Sequence, residues 1–274
     1  MSWLSRQFST RVLVLIPIAI AINIVLGYTV QTVLKLPIYL DSIGTILVGV
    51  LAGPIAGAAT GAASNLIWQY APGIGGGTIG PFAVVAAVIG LLAGLWGYLG
   101  VYRPRPASGA RLWLAVLIGV AIVVLLSSRI FNNPAYTDPN IGGYPDWVFT
   151  AAIVIAVVAS LGVAAFILVR RDAAGGWVVA AGALTGIVAA ILSAPIAAYV
   201  FGGVTGSGTD LIVAALRQGG ADVYNASLRP GLISDPIDKT ITSFVVFIIL
   251  ASLSERVIAR FPLGERLVRH DAST

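Results

Sequence analysis

The chain has 274 residues, of which 58% are hydrophobic and 10% charged, with a mean hydropathy of +0.97 and a formal net charge of +5. A soluble domain carries roughly 25% charged residues, so these few charges could not cover a water-facing surface of this size. There is no cysteine and one histidine, His270, in a polar tail, which excludes disulfides, thiolate nucleophiles, His-based triads and the common zinc motifs.

Eight apolar runs follow one another along the chain. The first, Val12 to Val30, follows Arg6 and Arg11. A signal peptide would be cleaved near Ala19-Ile-Ala21, but the run continues unbroken through Val25, so it is expected to remain as the first helix. Ile38 to Ala52 and Ile55 to Ala71 are separated only by Gly53-Pro54. As one helix they would measure about 50 Å against a bilayer core of about 30 Å, and Gly-Pro stops helices, so two spans are expected. Phe82 to Tyr102, Leu112 to Phe131, Trp147 to Val169, Trp177 to Phe201 and Thr240 to Val257 complete the set.

The basic residues test this count. Eight spans with both termini inside put eleven of them on the inner side (Arg6, Arg11, Arg103, Arg105, Arg111, Arg170, Arg171, Arg256, Arg260, Arg266 and Arg269) and five outside (Lys35, Arg129, Arg217, Arg229 and Lys239). Merging the second and third runs destroys the asymmetry. The expectation is therefore an all-α, polytopic membrane helix bundle, multi-pass in a prokaryotic cell membrane. Its positive charge sets topology and is not a nucleic-acid footprint.

Three outward loops stand out. Pro72 to Pro81 is Gly-rich, and its Gly75-Gly76-Gly77-Thr78-Ile79-Gly80 has the spacing of a dinucleotide fingerprint without the βαβ context that motif needs. It is expected to be a flexible outer hinge or lid. Phe131 to Asp146 is polar and turn-rich. Gly202 to Lys239 is long enough to hold a surface helix at Asp210 to Gln218, capped by Thr209 or Ser207 and closed by Gly219-Gly220.

Polar residues inside the apolar runs are the candidates for function. Asp41 sits in the outer third of its segment, where a carboxylate is expensive; it either caps the following helix through the amides of Ile43 and Gly44 or also lies at the rim of a ligand cavity. Asn23 in the first run is expected to hold helices together. Asn65, Trp68 and Gln69 form an amide and indole group suited to a planar heteroaromatic ligand. Ser234 to Thr240 reads as the start of the last helix, with Asp235 and Asp238 at its positive end. Lys239 would pair with Asp41 or bind an anionic substrate group. Small residues recur every fourth position at Gly49, Gly53, Gly57 and Gly61, at Gly90 and Gly94, and at Ala19, Asn23 and Gly27, a spacing that lets helix backbones approach closely. Most of this is expected to be internal packing; the stripe on the first helix is also a candidate docking face for another subunit. Outer aromatics such as Tyr28, Tyr39, Tyr70 and Tyr199 match an interfacial belt.

The run Leu36 to Thr45, then Leu51 to Ala58 and Gly61 to Asn65, resembles the substrate-binding S components of energy-coupling factor (ECF) transporters, as does Phe201 to Gly208 with Asp235 to Thr240. The resemblance covers about Arg11 to Tyr102 and Gly176 to Phe261. It implies a receptor that captures a vitamin or related micronutrient from outside and docks on one transmembrane scaffold subunit and two ATPases. It also implies an outward pocket capped by Gln31 to Pro37. The expected substrate-binding set is Tyr39, Asp41, Asn65, Trp68, Gln69, Asp238 and Lys239, and the expected docking set is Ala19, Asn23 and Gly27. Two features depart from the family. Its members have six helices, so a core of 11–102 and 176–261 would carry an inserted helix pair at 103–175; and its Ala-x-x-x-Ala docking pattern is only approximated by Ala19-x-x-x-Asn23.

No catalytic residue, cofactor or metal is expected; without a Walker lysine motif the chain is not expected to hydrolyse ATP itself, and the resemblance implies that partner subunits do. Riboflavin-like, cobalamin-like and nucleobase-derived ligands all suit an amide, an indole and a Lys-Asp rim. The rival is an autonomous secondary transporter or channel, which needs a coupling-ion site at mid-membrane depth. The sequence offers Asp41 alone for it, toward the outside.

Overall fold

The structure, a computed structural model, describes residues 3–34, 36, 38–74, 78–131 and 146–268. Lys35, Pro37, Gly75 to Gly77, His270 and nearly all of the Phe131 to Asp146 loop lie outside them. Helices account for most of the described chain, in the order α1 (Trp3–Gln7), α2 (Thr10–Gly27, extended by a π-helical turn Tyr28–Val33), α3 (Ile43–Ala52) and α4 (Pro54–Tyr70). A 3₁₀ turn (Gly80–Phe82) leads into α5 (Ala83–Tyr98), followed by α6 (Gly109–Phe131) and α7 (Asp146–Arg170). Then come α8 (Ala174–Pro195, extended by a π-helical turn Ile196–Val200), α9 (Asp210–Gln218) and α10 (Val223–Ser252), and two short helices, α11 (Glu255–Ile258) and α12 (Gly264–Leu267).

Four stretches, Thr10–Val33, Gly80–Tyr98, Gly109–Arg129 and Ala174–Val200, are long and apolar enough to cross a membrane, which makes this a helical membrane protein. The other apolar runs differ for separate reasons. α3 is a core helix with every residue from Ile43 to Ala52 buried; at ten residues it rises about 15 Å, half a bilayer core. Residues 38–42 ahead of it are not helical, and such backbone is tolerated at membrane depth only where protein covers it. α4 carries Thr60, Ser64, Asn65 and Gln69 among its apolar residues.

α3 lies at the centre, packed on α2, α4, α5 and α10, while α8 packs along α10 and α5. Glycines set these distances. A Cβ at Gly57 would fall 2.5 Å from the Gly90 carbonyl oxygen, one at Gly61 2.3 Å from that of Ala86, and one at Gly94 2.2 Å from Pro54 N. Gly57 and Gly61 of α4 and Gly90 and Gly94 of α5 thus bring these two helices into close contact, while Gly49 and Gly97 do the same between α3 and α5, the close approach that the spacing predicts. α6 and α7 pair against α8 around a separate apolar cluster that includes Leu112, Val116, Val163 and Ile167.

The stripe on α2 faces inward. Ala19 is fully buried, Asn23 is 1% exposed, and a Cβ on Gly44 of α3 would meet the Ala19 carbonyl at 2.2 Å. Ala19, Asn23 and Gly27 therefore do not form an outward docking face; the outward side of α2 is Leu13, Val14, Ile18 and Val25. Asn23 joins three helices: its oxygen accepts from Gly44 N (2.7 Å), and its amide donates to Thr45 Oγ1 (2.8 Å) and Ser64 Oγ (3.0 Å). It thus satisfies an orphan amide of the first turn of α3, the role the sequence offered to Asp41. Asn23→Leu strands buried partners worth about 1–3 kcal/mol each; a marked fall in the midpoint of thermal unfolding in detergent is expected.

The last long helix begins at Val223, eleven residues before the expected start at Ser234. Asp222 caps it, accepting from Asn225 N at 3.0 Å and Asn225 Nδ2 at 2.6 Å, which holds its carboxyl below the usual range. Pro230 and Pro236 lie inside the helix, so Ser234 to Thr240 forms its middle and Asp235 and Asp238 stand at no helix terminus. α9 has the bounds read from sequence, but Thr209 makes no side-chain cap to it.

The two ends of the bundle differ in charge. At one, guanidinium groups donate to chain carbonyls: Arg11 to Arg260 (3.1 Å), Arg170 to Ala251 (2.8 Å) and Arg266 to Tyr98 (3.1 Å). The other holds residues 28–34, 38–42, 71–74, 78–82 and 196–222, and beneath these lies the cavity.

Candidate functional site

Between α3, α4 and α5 on one side and α8 and α10 on the other is a cavity of about 110 Å³. Its floor and one wall are apolar, from Val85, Ala86 and Ile89 of α5 and Ala189 and Ala194 of α8. Over it, loop 201–209 meets the segment after α4: Thr78 Oγ1 donates to Thr205 O at 2.6 Å, and the Phe82 and Phe201 rings stack at 5.8 Å. Gly203 lines the cavity at φ +91, a conformation that favours glycine, and a Cβ there would press on Val213 Cγ1 at 2.9 Å.

The opposite wall is ionic. Lys239 is 2% exposed, and its ammonium donates to Asp238 Oδ2 (2.6 Å), Ser42 Oγ (2.9 Å) and Asp41 Oδ1 (3.1 Å). An ammonium has three donors, so all are committed to the protein. Between the two sequence alternatives, Lys239 pairs with Asp41; it has no donor left for an anionic ligand. Asp41 Oδ2 also accepts from Gln31 Nε2 at 3.3 Å. Asp238, wholly buried, uses Oδ1 to accept from Tyr39 N (3.1 Å) and Leu40 N (2.7 Å). This clamp holds Leu40 at φ +53, where a branched side chain is strained.

Of the seven expected substrate-binding residues, Tyr39, Asp41, Asn65 and Lys239 line the cavity. Trp68, Gln69 and Asp238 do not. The Trp68 indole packs against Gly27 and donates to Ile74 O at 2.9 Å; Gln69 accepts from Gly80 N at 2.7 Å; Asp238 works behind the wall. Asn65 is 6% exposed, with no hydrogen bond to any described residue, and its side chain opens on the cavity.

Several lining residues lie outside the expected substrate-binding set, chiefly Gln31, Ser193, Thr205, Asp210 and Asp235. Asp210 gathers loop 201–209, accepting from Thr205 N (3.0 Å), Thr205 Oγ1 (3.0 Å) and Gly206 N (2.7 Å). Asp235 lies one turn before Lys239 on the same face of α10. That relation was readable once the helix was extended upstream of Pro236. Among the described residues no cluster of three or more acidic, His or Cys side chains could hold a metal ion.

Compared with family models, curated proteins and solved structures, the chain matches none of them.

Proposed function

We propose that this chain is the substrate-capturing component of an ECF-type importer: a receptor of eight spans with both termini inside, taking a vitamin-like micronutrient from outside. Delivery inward is then driven by a scaffold subunit and two ATPases, and the chain itself is no enzyme. The observation that carries this reading is the polar-and-apolar cavity at the less basic end of a bundle whose other end collects arginines, as the positive-inside rule asks of a cytoplasmic face. The space suits a nucleobase-sized solute; riboflavin-like and cobalamin-like molecules would enter only if the walls moved apart. Docking on the scaffold falls to a face other than the inward stripe of α2.

Asp235 favours a second reading. A buried carboxylate within a helix and facing a cavity is what a proton- or ion-coupled secondary transporter needs, and it supplies the mid-helix acid that the sequence withheld. Uptake into vesicles separates the two. The receptor reading expects the substrate identified from the purified protein by mass spectrometry to accumulate only with a co-expressed energising module and ATP. Accumulation by the lone chain that collapses with an ionophore would favour the transporter.

A further inference from the structure

The charges on the cavity do not balance. Among the described residues three carboxylates line it, Asp41, Asp210 and Asp235, against one cation, Lys239. Lys239 is shared between Asp41 and Asp238, and Asp210 is held by amide and hydroxyl donors of its own loop. Asp235 lies near the same ammonium but makes no direct ion pair with it. It is 6% exposed, its Oδ2 has one distant donor in Ser193 Oγ at 3.5 Å, and its Oδ1 has no hydrogen-bond partner among the described residues. Burying a carboxylate in this state is unfavourable unless a proton or a bound cation completes it. Asn65, also buried, brings a second uncommitted polar group to the same space.

We propose that the cavity takes a compact organic cation, a protonated amine on a small ring or short chain, with Asp235 as counter-ion and Asn65 hydrogen-bonding its polar edge. This rests on the receptor reading and names its substrate class. Size follows from the volume: at about 110 Å³ the cavity is somewhat smaller than the apolar cavity of about 150 Å³ that admits benzene, so a single ring fills it. The apolar wall formed by α5 and α8 takes the ring and the Asp235 side takes the charge. An anionic ligand would meet a carboxylate without a direct ion-pair partner and an ammonium with no free donor.

The test uses the purified full chain in detergent at neutral pH, with benzylamine, benzyl alcohol and benzoate as probes of equal shape and different charge. Thermal stabilisation is followed as a function of concentration. The amine is expected to half-saturate at a concentration about tenfold or more below the alcohol, the ratio one charge-assisted contact confers, with benzoate weakest. Asp235→Asn is expected to bring amine and alcohol to parity. Equal or better stabilisation by benzoate, or by the alcohol, overturns the proposal. So does stabilisation by sodium chloride over choline chloride without an effect of the amine, and so does the absence of any amine-dependent shift. Should Asp235→Asn fail to fold, the wild-type ranking decides alone. The ranking needs no energising module, so its failure would leave the importer reading standing, and vesicle uptake without a module would overturn that reading while leaving the cation preference intact.

Discussion

Replacing Lys239 with Met is expected to cost about 3–5 kcal/mol, the penalty for leaving buried charges without their partner. That is a large share of a total stability of about 5–15 kcal/mol. The residue is 2% exposed, and its ammonium is what Asp41, Asp238 and Ser42 converge on. Without it Asp238 keeps its two backbone donors, but Asp41 keeps only the 3.3 Å contact from Gln31. The midpoint of unfolding in detergent should fall by on the order of 10 °C. Adding Asp238→Asn should recover part of the loss, because an asparagine oxygen can still accept from Tyr39 N and Leu40 N while one stranded charge disappears. A Lys239→Met protein as stable as the parent would show that the ammonium is not buried where the structure places it.

Gly186→Val is expected to be comparably damaging for a different reason. A Cβ there would lie 2.3 Å from Pro236 Cα and 2.4 Å from Asp235 O, and one at Gly182 would lie 2.6 Å from Lys239 O. These are backbone atoms of α10, which cannot swing aside as a side chain does, so α8 and α10 must part along their length. Overpacking of this kind costs about 1–3 kcal/mol and sometimes more, and the upper end is expected. The same displacement moves Asp235 and Lys239 away from α3, so capture of the amine probe should be lost together with stability. Gly162→Val on α7, where a Cβ meets nothing within 4 Å, serves as the control and should stay within about 0.5 kcal/mol of the parent.

The sequence made the apolar helices legible because composition alone specifies them, and it made close helix packing at the glycines legible because glycine at every fourth position has few other uses in a membrane helix, though not which helices would meet. Asp210 to Gln218 was legible for a similar local reason, an amphipathic run closed by two glycines. The start of α10 was not. Pro230, Gly231 and Pro236 beside three charged residues look like a helix beginning, and only packing against α8 shows that the chain stays helical through them, with Ser234 Oγ donating to the Pro230 carbonyl at 2.9 Å. That misplacement hid Asp235. Direction was the other missing quantity: spacing put Trp68 near Asn65, but the rotation of α4 turns the indole onto Gly27 and away from the cavity, and the rotation of α2 turns the Ala19, Asn23 and Gly27 stripe inward, which suits Asn23 as the expected link between helices but not the stripe as a docking face.

The account depends above all on which side of the membrane the cavity faces. Because the chain has no cysteine, single cysteines can be placed at exposed positions: Pro72 and Gln218 at the cavity end, Ser108 and Glu265 at the basic end. With an impermeant maleimide on intact cells, cysteines at 72 and 218 should both be labelled, and those at 108 and 265 only after the membrane is opened. Labelling of 72 and 218 from opposite compartments, or of 108 and 265 from outside, would contradict it.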